Sequence, residues 1–294
     1  MSNAALATLA LLGVTAAWGS TFPLIKDVVA RMPVADFLAV RFALAAVVLA
    51  LVRPGAVRRL SPRDRRAGVV LGVAYGLAQI LQTVGLQHTD ASVSGFVTGM
   101  YVVLTPLIAG LLLHQRVGPV GWVAVGLATA GLAVLSLRGL SVGYGETLTL
   151  VAALFYALHI LGLGRWAAGR DAYGLAVVQM ATIAVVCAVG AAPGGLDAPP
   201  DAGAWVAVAY TAVVAGALAM LLQTWAQGHM SPTRAAIIMT MEPVFAGLFA
   251  VLLGGESVTV RLAVGAPLVL AAMYLAELGP RRGAEAQVAH PSAP

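Results

Sequence analysis

Charge is what this sequence most conspicuously lacks. Only 10% of its 294 residues are Asp, Glu, Lys or Arg, and 60% are hydrophobic. A soluble domain carries about 25% charged residues, so this chain cannot cover a water-soluble globule. Cysteine is almost missing. The single Cys187 lies inside an apolar run, which excludes an intrachain disulfide and any cysteine metal cluster; it reads as a small core residue. Lysine is reduced to Lys26. The five histidines, His88, His114, His159, His229 and His290, are scattered without metal-ligand spacing. No metal or other cofactor is therefore expected. The chain also lacks a nucleotide-binding P-loop and a G-x-S-x-G elbow, and it leaves no room for a soluble ATPase domain.

What it has is long apolar runs. A transmembrane barrel would need strands that alternate polar and apolar, whereas these runs are continuous. The sequence predicts an all-α polytopic membrane protein with ten spans, each near the ~20 residues a bilayer requires. They are Leu6–Lys26, Val34–Val52, Ala67–Leu86, Ser92–Leu113, Pro119–Leu137, Gly145–Arg165, Tyr173–Ala191, Gly203–Ala226, Pro232–Leu253 and Val260–Leu278. No basic segment precedes the first run, so it reads as a retained span and not a signal peptide. Residues 279–294 are polar and rich in Pro and Ala, the composition of a disordered tail.

Net charge is +5, and topology accounts for it without a nucleic-acid partner. The second-to-third connection is strongly basic, Arg53 through Arg66. Arg116, Arg165, Arg170, Arg234, Arg281 and Arg282 fall on the same side. The other side holds Lys26, Arg31, Arg138 and Arg261, with Asp90, Asp197 and Asp201 among them. The positive-inside rule then puts both termini in the cytoplasm, as an even span count requires. The expected location is the inner (plasma) membrane, with the basic loop able to meet anionic lipid.

The chain repeats itself. Leu77–His88 and Leu218–His229 match at six positions without a gap, at an interval of 141 residues. Pro106-Leu-Ile-Ala-Gly110 parallels Pro243-Val-Phe-Ala-Gly247 after a shift of about one helical turn. The halves are 1–140 and 141–278, five spans each. Five is odd, so the second half must enter the membrane from the opposite face. Inverted repeats of this kind are common in secondary transporters.

Glu242-Pro243 near the middle of the ninth span is the point around which the rest is organised. A carboxylate at that depth costs roughly 2.5–3.5 kcal/mol on insertion scales, and a proline there tends to kink its helix. Glu242 could bind a cationic group, take up a proton in exchange for solute, or bond a neighbouring helix. Arg41, inside the second span, could meet an anionic group bidentately, pair with Glu242, or reach the interface. Trp18, Ser20, Thr21 and Pro23 cluster in the first span; Trp18 could stack on a flat or cationic ligand or pack at the interface. Thr98, Tyr101 and Thr105 share one face of the fourth span, and Tyr75, Gln79, Gln82 and Thr83 form a similar face on the third. Gln82 and its repeat mate Gln223, near the ends of their spans, read as gate residues or polar caps at opposite membrane faces. Pro106 joins Pro23 and Pro243 as a kink. Tyr156 and His159 are further polar points in the sixth span. Gly72/Gly76 and Gly95/Gly99 have the small-xxx-small spacing of close helix contact.

Trp18-Gly-Ser-Thr-Phe-Pro23, Arg41-Phe42, Gly95 through Pro106, Glu242-Pro243 and Gly255-Glu256, in this order and spacing, resemble the EamA family of the drug/metabolite transporter superfamily across nearly the whole chain. The resemblance implies a ten-helix, two-repeat carrier with cytoplasmic termini that moves, often exports, small organic solutes such as amino acids, metabolites or drugs. One departure is His114-Gln115-Arg116, where many members carry Gly-Glu after the fourth span. The expected partners are a small organic solute and the bilayer, with a proton as candidate coupling ion and a homodimer left open. The alternatives are a non-transporting receptor or scaffold and, less favoured, an intramembrane enzyme.

Overall fold

The computed structural model describes residues 3–112, 119–138, 141–192, 194–229, 235 and 238–278. His114, Gln115, Arg116, Arg234 and the tail 279–294 lie outside them, as does the start of the ninth span. The regular secondary structure of the described chain is helical apart from a two-residue antiparallel pairing of Leu137–Arg138 with Ser141–Val142 at the seam between the halves. Inside a bilayer every backbone N–H and C=O must be satisfied within the chain, and helices do so locally.

The first half comprises α1 (Asn3–Val29), α2 (Val34–Val52), α3 (Pro62–Leu86), α4 (Ala91–Thr98), α5 (Tyr101–Leu112) and α6 (Pro119–Ser136). The second comprises α7 (Tyr144–Trp166), α8 (Ala172–Ala191), α9 (Ala202–Ala212), α10 (Ala219–Gln227), α11 (Met241–Leu252) and α12 (Val260–Leu278). Helices α4 and α5 form one span, as do α9 and α10, which makes ten. Among the described residues, seven spans are long and apolar enough to cross a membrane; Pro119–Leu135, Met241–Leu252 and Val260–Leu275 are shorter apolar helices. Interfacial residues start the helices: the Ser61 hydroxyl accepts from Asp64 N before α3, and the Asp171 and Asp201 carboxylates accept from the first turns of α8 and α9.

Three spans are not the simple rods the sequence predicts. The fourth breaks at Gly99-Met100, where Val102 and Val103 bond three residues back. The eighth carries a π-helical turn over Val213–Leu218. In the ninth, Glu242 and Pro243 occupy the first turn of α11, after a turn at Thr240. Proline in a first turn lacks only a donor that would have had no partner anyway. Pro243 thus marks a helix start where a mid-helix kink was expected.

The helix contacts repeat when the halves exchange roles. α3 packs on α7 as α10 packs on α1, and α1 packs on α11 as α7 packs on α4 and α5. The pairs α2–α8, α4–α11 and α6–α12 sit across the pseudo-two-fold axis. With five spans per half, the second repeat is inverted. Ion pairs sort by end: Lys26–Asp90 and Arg31–Asp201 at one, Arg53–Asp171 and Arg170–Asp64 at the other. Large apolar side chains such as Leu51, Val189 and Val206 point outward, where lipid would lie.

Small residues let the halves close on each other. A methyl group placed on Gly95 would lie 2.4 Å from Cβ of Ala246, and one on Gly19 would lie 2.5 Å from Cβ of Phe245. Gly72 likewise sits against Thr182 of α8. Gly95→Val is expected to lower the melting temperature of the detergent-solubilised protein by about 5 °C, an overpacking cost. Gly126→Val, whose Cβ would meet nothing within 4 Å, is expected to leave it unchanged. Equal melting temperatures for the two variants would contradict the close α4–α11 approach.

Candidate functional site

Polar side chains from both halves converge on a cavity of about 40 Å³, room for only a few waters. Its walls come from α1 (Trp18, Thr21, Phe22, Ile25), α2 (Arg41), α3 (Tyr75, Gln79, Gln82), α4 and α5 (Thr98, Tyr101), α7 (Tyr156, His159, Ile160), α10 (Gln223) and the start of the ninth span (Met239, Glu242).

Arg41 is 2% exposed. Its Nε donates to the carbonyl of Thr211 at 3.2 Å and its Nη1 to Gln79 Oε1 at 3.3 Å. The guanidinium lies 4.8 Å from the Phe42 ring centroid and 6.0 Å from that of Phe37, a cation–π arrangement. The π turn contributes to this. Thr211 precedes it by two residues, and Ala215 within it accepts a 2.9 Å bond from Trp18 Nε1. A π turn shifts the helix ladder and leaves carbonyls open to side chains.

A directional chain of hydrogen bonds runs on from Arg41. Gln79 Nε2 donates to the Tyr156 hydroxyl at 2.6 Å, Tyr156 donates to Gln82 Oε1 at 2.7 Å, and Gln82 Nε2 donates to Thr98 Oγ1 at 2.9 Å. The chain joins four spans from both halves. Glu242, 5% exposed, accepts from the Tyr101 hydroxyl at 2.7 Å, which ties α5 to α11. No ion pair joins Arg41 to Glu242 among the described residues; the pairing considered from sequence is replaced by neutral partners on both sides. His159 Nε2 meets Gln179 Oε1 at 2.8 Å while its Nδ1 has no partner. The rings of Tyr75, Tyr156, His159 and Tyr101 meet edge to face, with centroids 4.9–6.3 Å apart.

Trp18, Thr21, Arg41, Tyr75, Gln79, Thr98, Tyr101, Tyr156, His159 and Glu242 are thus gathered around one cavity. Ser20 and Thr105 are not. Ser20 bonds the carbonyl of Ala17 and the hydroxyl of Tyr210, and Thr105 bonds the carbonyl of Tyr101. Pro23 lies inside an unbroken α1, facing Gly254, and Pro243 packs beside Gly99. The side chain of Pro106 lies outside the described residues. Gln82 and Gln223 line the same cavity, although they were expected at opposite membrane faces; the cavity reaches the last turns of α3. The apolar wall of Phe22, Ile25, Ile160 and Met239 was not singled out. Phe22 and Ile25 follow Trp18 and Thr21 at helical spacing, which was the available signal.

The EamA-like transporter family model matches residues 5–137 and again 143–278. The chain belongs to the EamA-like transporter family. It is similar to an uncharacterized transporter from Archaeoglobus fulgidus, at 32% identity over 92% of this chain and 86% of that one. It also shares its fold with a protein of known crystal structure, at a TM-score of 0.68 and 20% identity over 92% of this chain and 96% of the other. This EamA-family protein is therefore a multi-pass membrane transporter.

Tyr156→Phe leaves both Gln79 Nε2 and Gln82 Oε1 without their partner. A loss of about 1–3 kcal/mol in unfolding free energy is expected, read from denaturant titration in detergent. Gln82→Leu in the same chain should recover part of it, because the orphaned acceptor, Gln82 Oε1, is gone. Full additivity of the two substitutions would contradict the network.

Proposed function

We propose that this protein is a secondary transporter that carries a small organic solute out of the cytoplasm by alternating access. The observation that carries the reading is the pair of opposite charges, Arg41 and Glu242, lining one cavity between the halves without touching each other. Each is held by neutral dipoles, so each retains capacity for a charged ligand group. A zwitterion of amino-acid type would satisfy both, its carboxylate on Arg41 and its ammonium on Glu242. Its apolar part would lie against Trp18, Tyr75, Tyr101 and Tyr156. The same residues serve as the proposed binding set; Gln82 and Gln223 belong with it as well as with gating.

The cavity holds only a few waters, so a solute enters by displacing the walls. The halves 1–140 and 141–278 rocking about the site would do this, as inverted repeats permit. No P-loop is present in the sequence, which favours coupling to an ion gradient; a proton taken up by Glu242 is the candidate. The arginine-rich loops favour cytoplasmic termini in an inner membrane.

The test is uptake of radiolabelled amino acids by proteoliposomes. Glu242→Gln and Arg41→Gln should each lower the rate by about tenfold or more, the worth of one charged hydrogen bond. Cys187→Ser, buried but not among the residues that line the cavity, should leave the rate unchanged. Full activity of Glu242→Gln would overturn the reading of the site.

A further inference from the structure

At the end of the molecule that carries Asp90, beside the Arg31–Asp201 ion pair, one short segment, Gln87–Ser92 between α3 and α4, gathers a cluster of hydrogen bonds. Gln87 Nε2 donates to the carbonyl of Val29 at 2.7 Å, and Lys26 Nζ donates to that of Thr89 at 2.8 Å. Both of these contacts stay within the first half. Two others cross to the second half. Thr89 Oγ1 donates to Glu146 Oε1 at 3.0 Å. Glu256, from the connection between α11 and α12, accepts from Ala91 N at 2.6 Å, Ser92 N at 3.2 Å and Ser92 Oγ at 2.5 Å. One carboxylate therefore closes the N-terminus of α4 with three donors, where the helix dipole favours negative charge. Helix α4 leads directly to Thr98 and Tyr101 in the cavity wall.

The opposite end is closed differently. There α1, α10 and the start of the ninth span meet through Ala7, Leu11, Ala226, Ala235 and Ile238. Gln223 Oε1, Thr224 Oγ1 and both amide atoms of Gln227 are buried without a partner. Gln82, the repeat mate of Gln223, has both amide atoms bonded. The two copies of one motif thus stand in unlike states, with Gln82 satisfied and Gln223 Oε1 orphaned. Buried polar groups without partners are costly and gain from water.

We infer that Glu256 is a gate latch: its carboxylate on α4 holds the Asp90 end closed, and its release opens the cavity to that side. The end at Gln223–Gln227 is held by the packing around Ala7 and Ile238 and by the Arg53–Asp171 and Arg170–Asp64 ion pairs. This rests on the alternating-access reading above and adds a positioning residue outside the cavity.

The experiment needs no identified solute. Ile25→Cys, placed in the cavity wall of a Cys187→Ser chain, is labelled with a membrane-impermeant methanethiosulfonate in right-side-out and inverted vesicles, so that each face is tested separately. From the Asp90 face, labelling should be slow, and Glu256→Gln should speed it about tenfold or more, because the charge is lost and the amide NH2 replaces one of the two oxygens to which Ala91 and Ser92 donate. Ser92→Ala, which removes one donor of three, should give a smaller increase and guards against a folding defect in Glu256→Gln. Unchanged labelling in both variants would overturn the latch, as would fast labelling before any substitution. Either result would leave solute uptake by proteoliposomes untouched, so the latch and the transport reading fail separately.

Discussion

The structure depends on keeping two charges in a place that offers them no bulk water. Arg41 and Glu242 are both almost wholly buried, and moving an unpaired ion into such surroundings costs several kcal/mol even after relaxation. Direct pairing would be the simplest remedy, yet each is instead bonded to neutral groups. The cost is spread through the Gln79–Tyr156–Gln82–Thr98 chain, the Tyr101 hydroxyl and the carbonyls at the π turn. A salt bridge would neutralise the cavity and, on the proposed function, leave nothing to attract a charged solute. Dipoles hold the charges in position and leave them available.

That arrangement dictates much of the helix geometry. The carbonyls of Thr211 and Ala215 reach Arg41 and Trp18 at the π turn of the eighth span. The breaks at Gly99-Met100 and Thr240 bring Tyr101 and Glu242 to the starts of α5 and α11, where they meet. Gly19 and Gly95 allow α1 and α4 to close on α11, so that the carboxylate on α11 lies within the walls and away from lipid. Each irregularity in the backbone faces the cavity or a partner helix, the only surroundings in which a bilayer tolerates it.

The polar part of this site was legible because a polar residue in an apolar run has to be explained. Arg41, Gln79, Tyr101, Tyr156 and Glu242 stand out for that reason, and the Leu77–His88 repeat gave the two-half organisation. The apolar wall was not legible, since Phe22 or Ile160 looks the same whether it faces lipid or a cavity. Nor was the π turn, which Val213–Leu218 announces by no residue type. Ser20 and Thr105 misled, because a hydroxyl can be satisfied on its own helix. Gln82 and Gln223 were misplaced because distance along the chain from a span's end was read as depth, whereas the cavity extends well toward one end of α3.

The proposed alternating access requires two inverted halves that move about a shared polar cavity. Pulsed electron paramagnetic resonance distances test this most directly. Spin labels at Asp90 and Ser257 span one end of the seam, and labels at Asn3 and His229 span the other. On adding a transported amino acid, one distance should lengthen as the other shortens. Two distances that change together, or that stay fixed while the solute is carried, would contradict it.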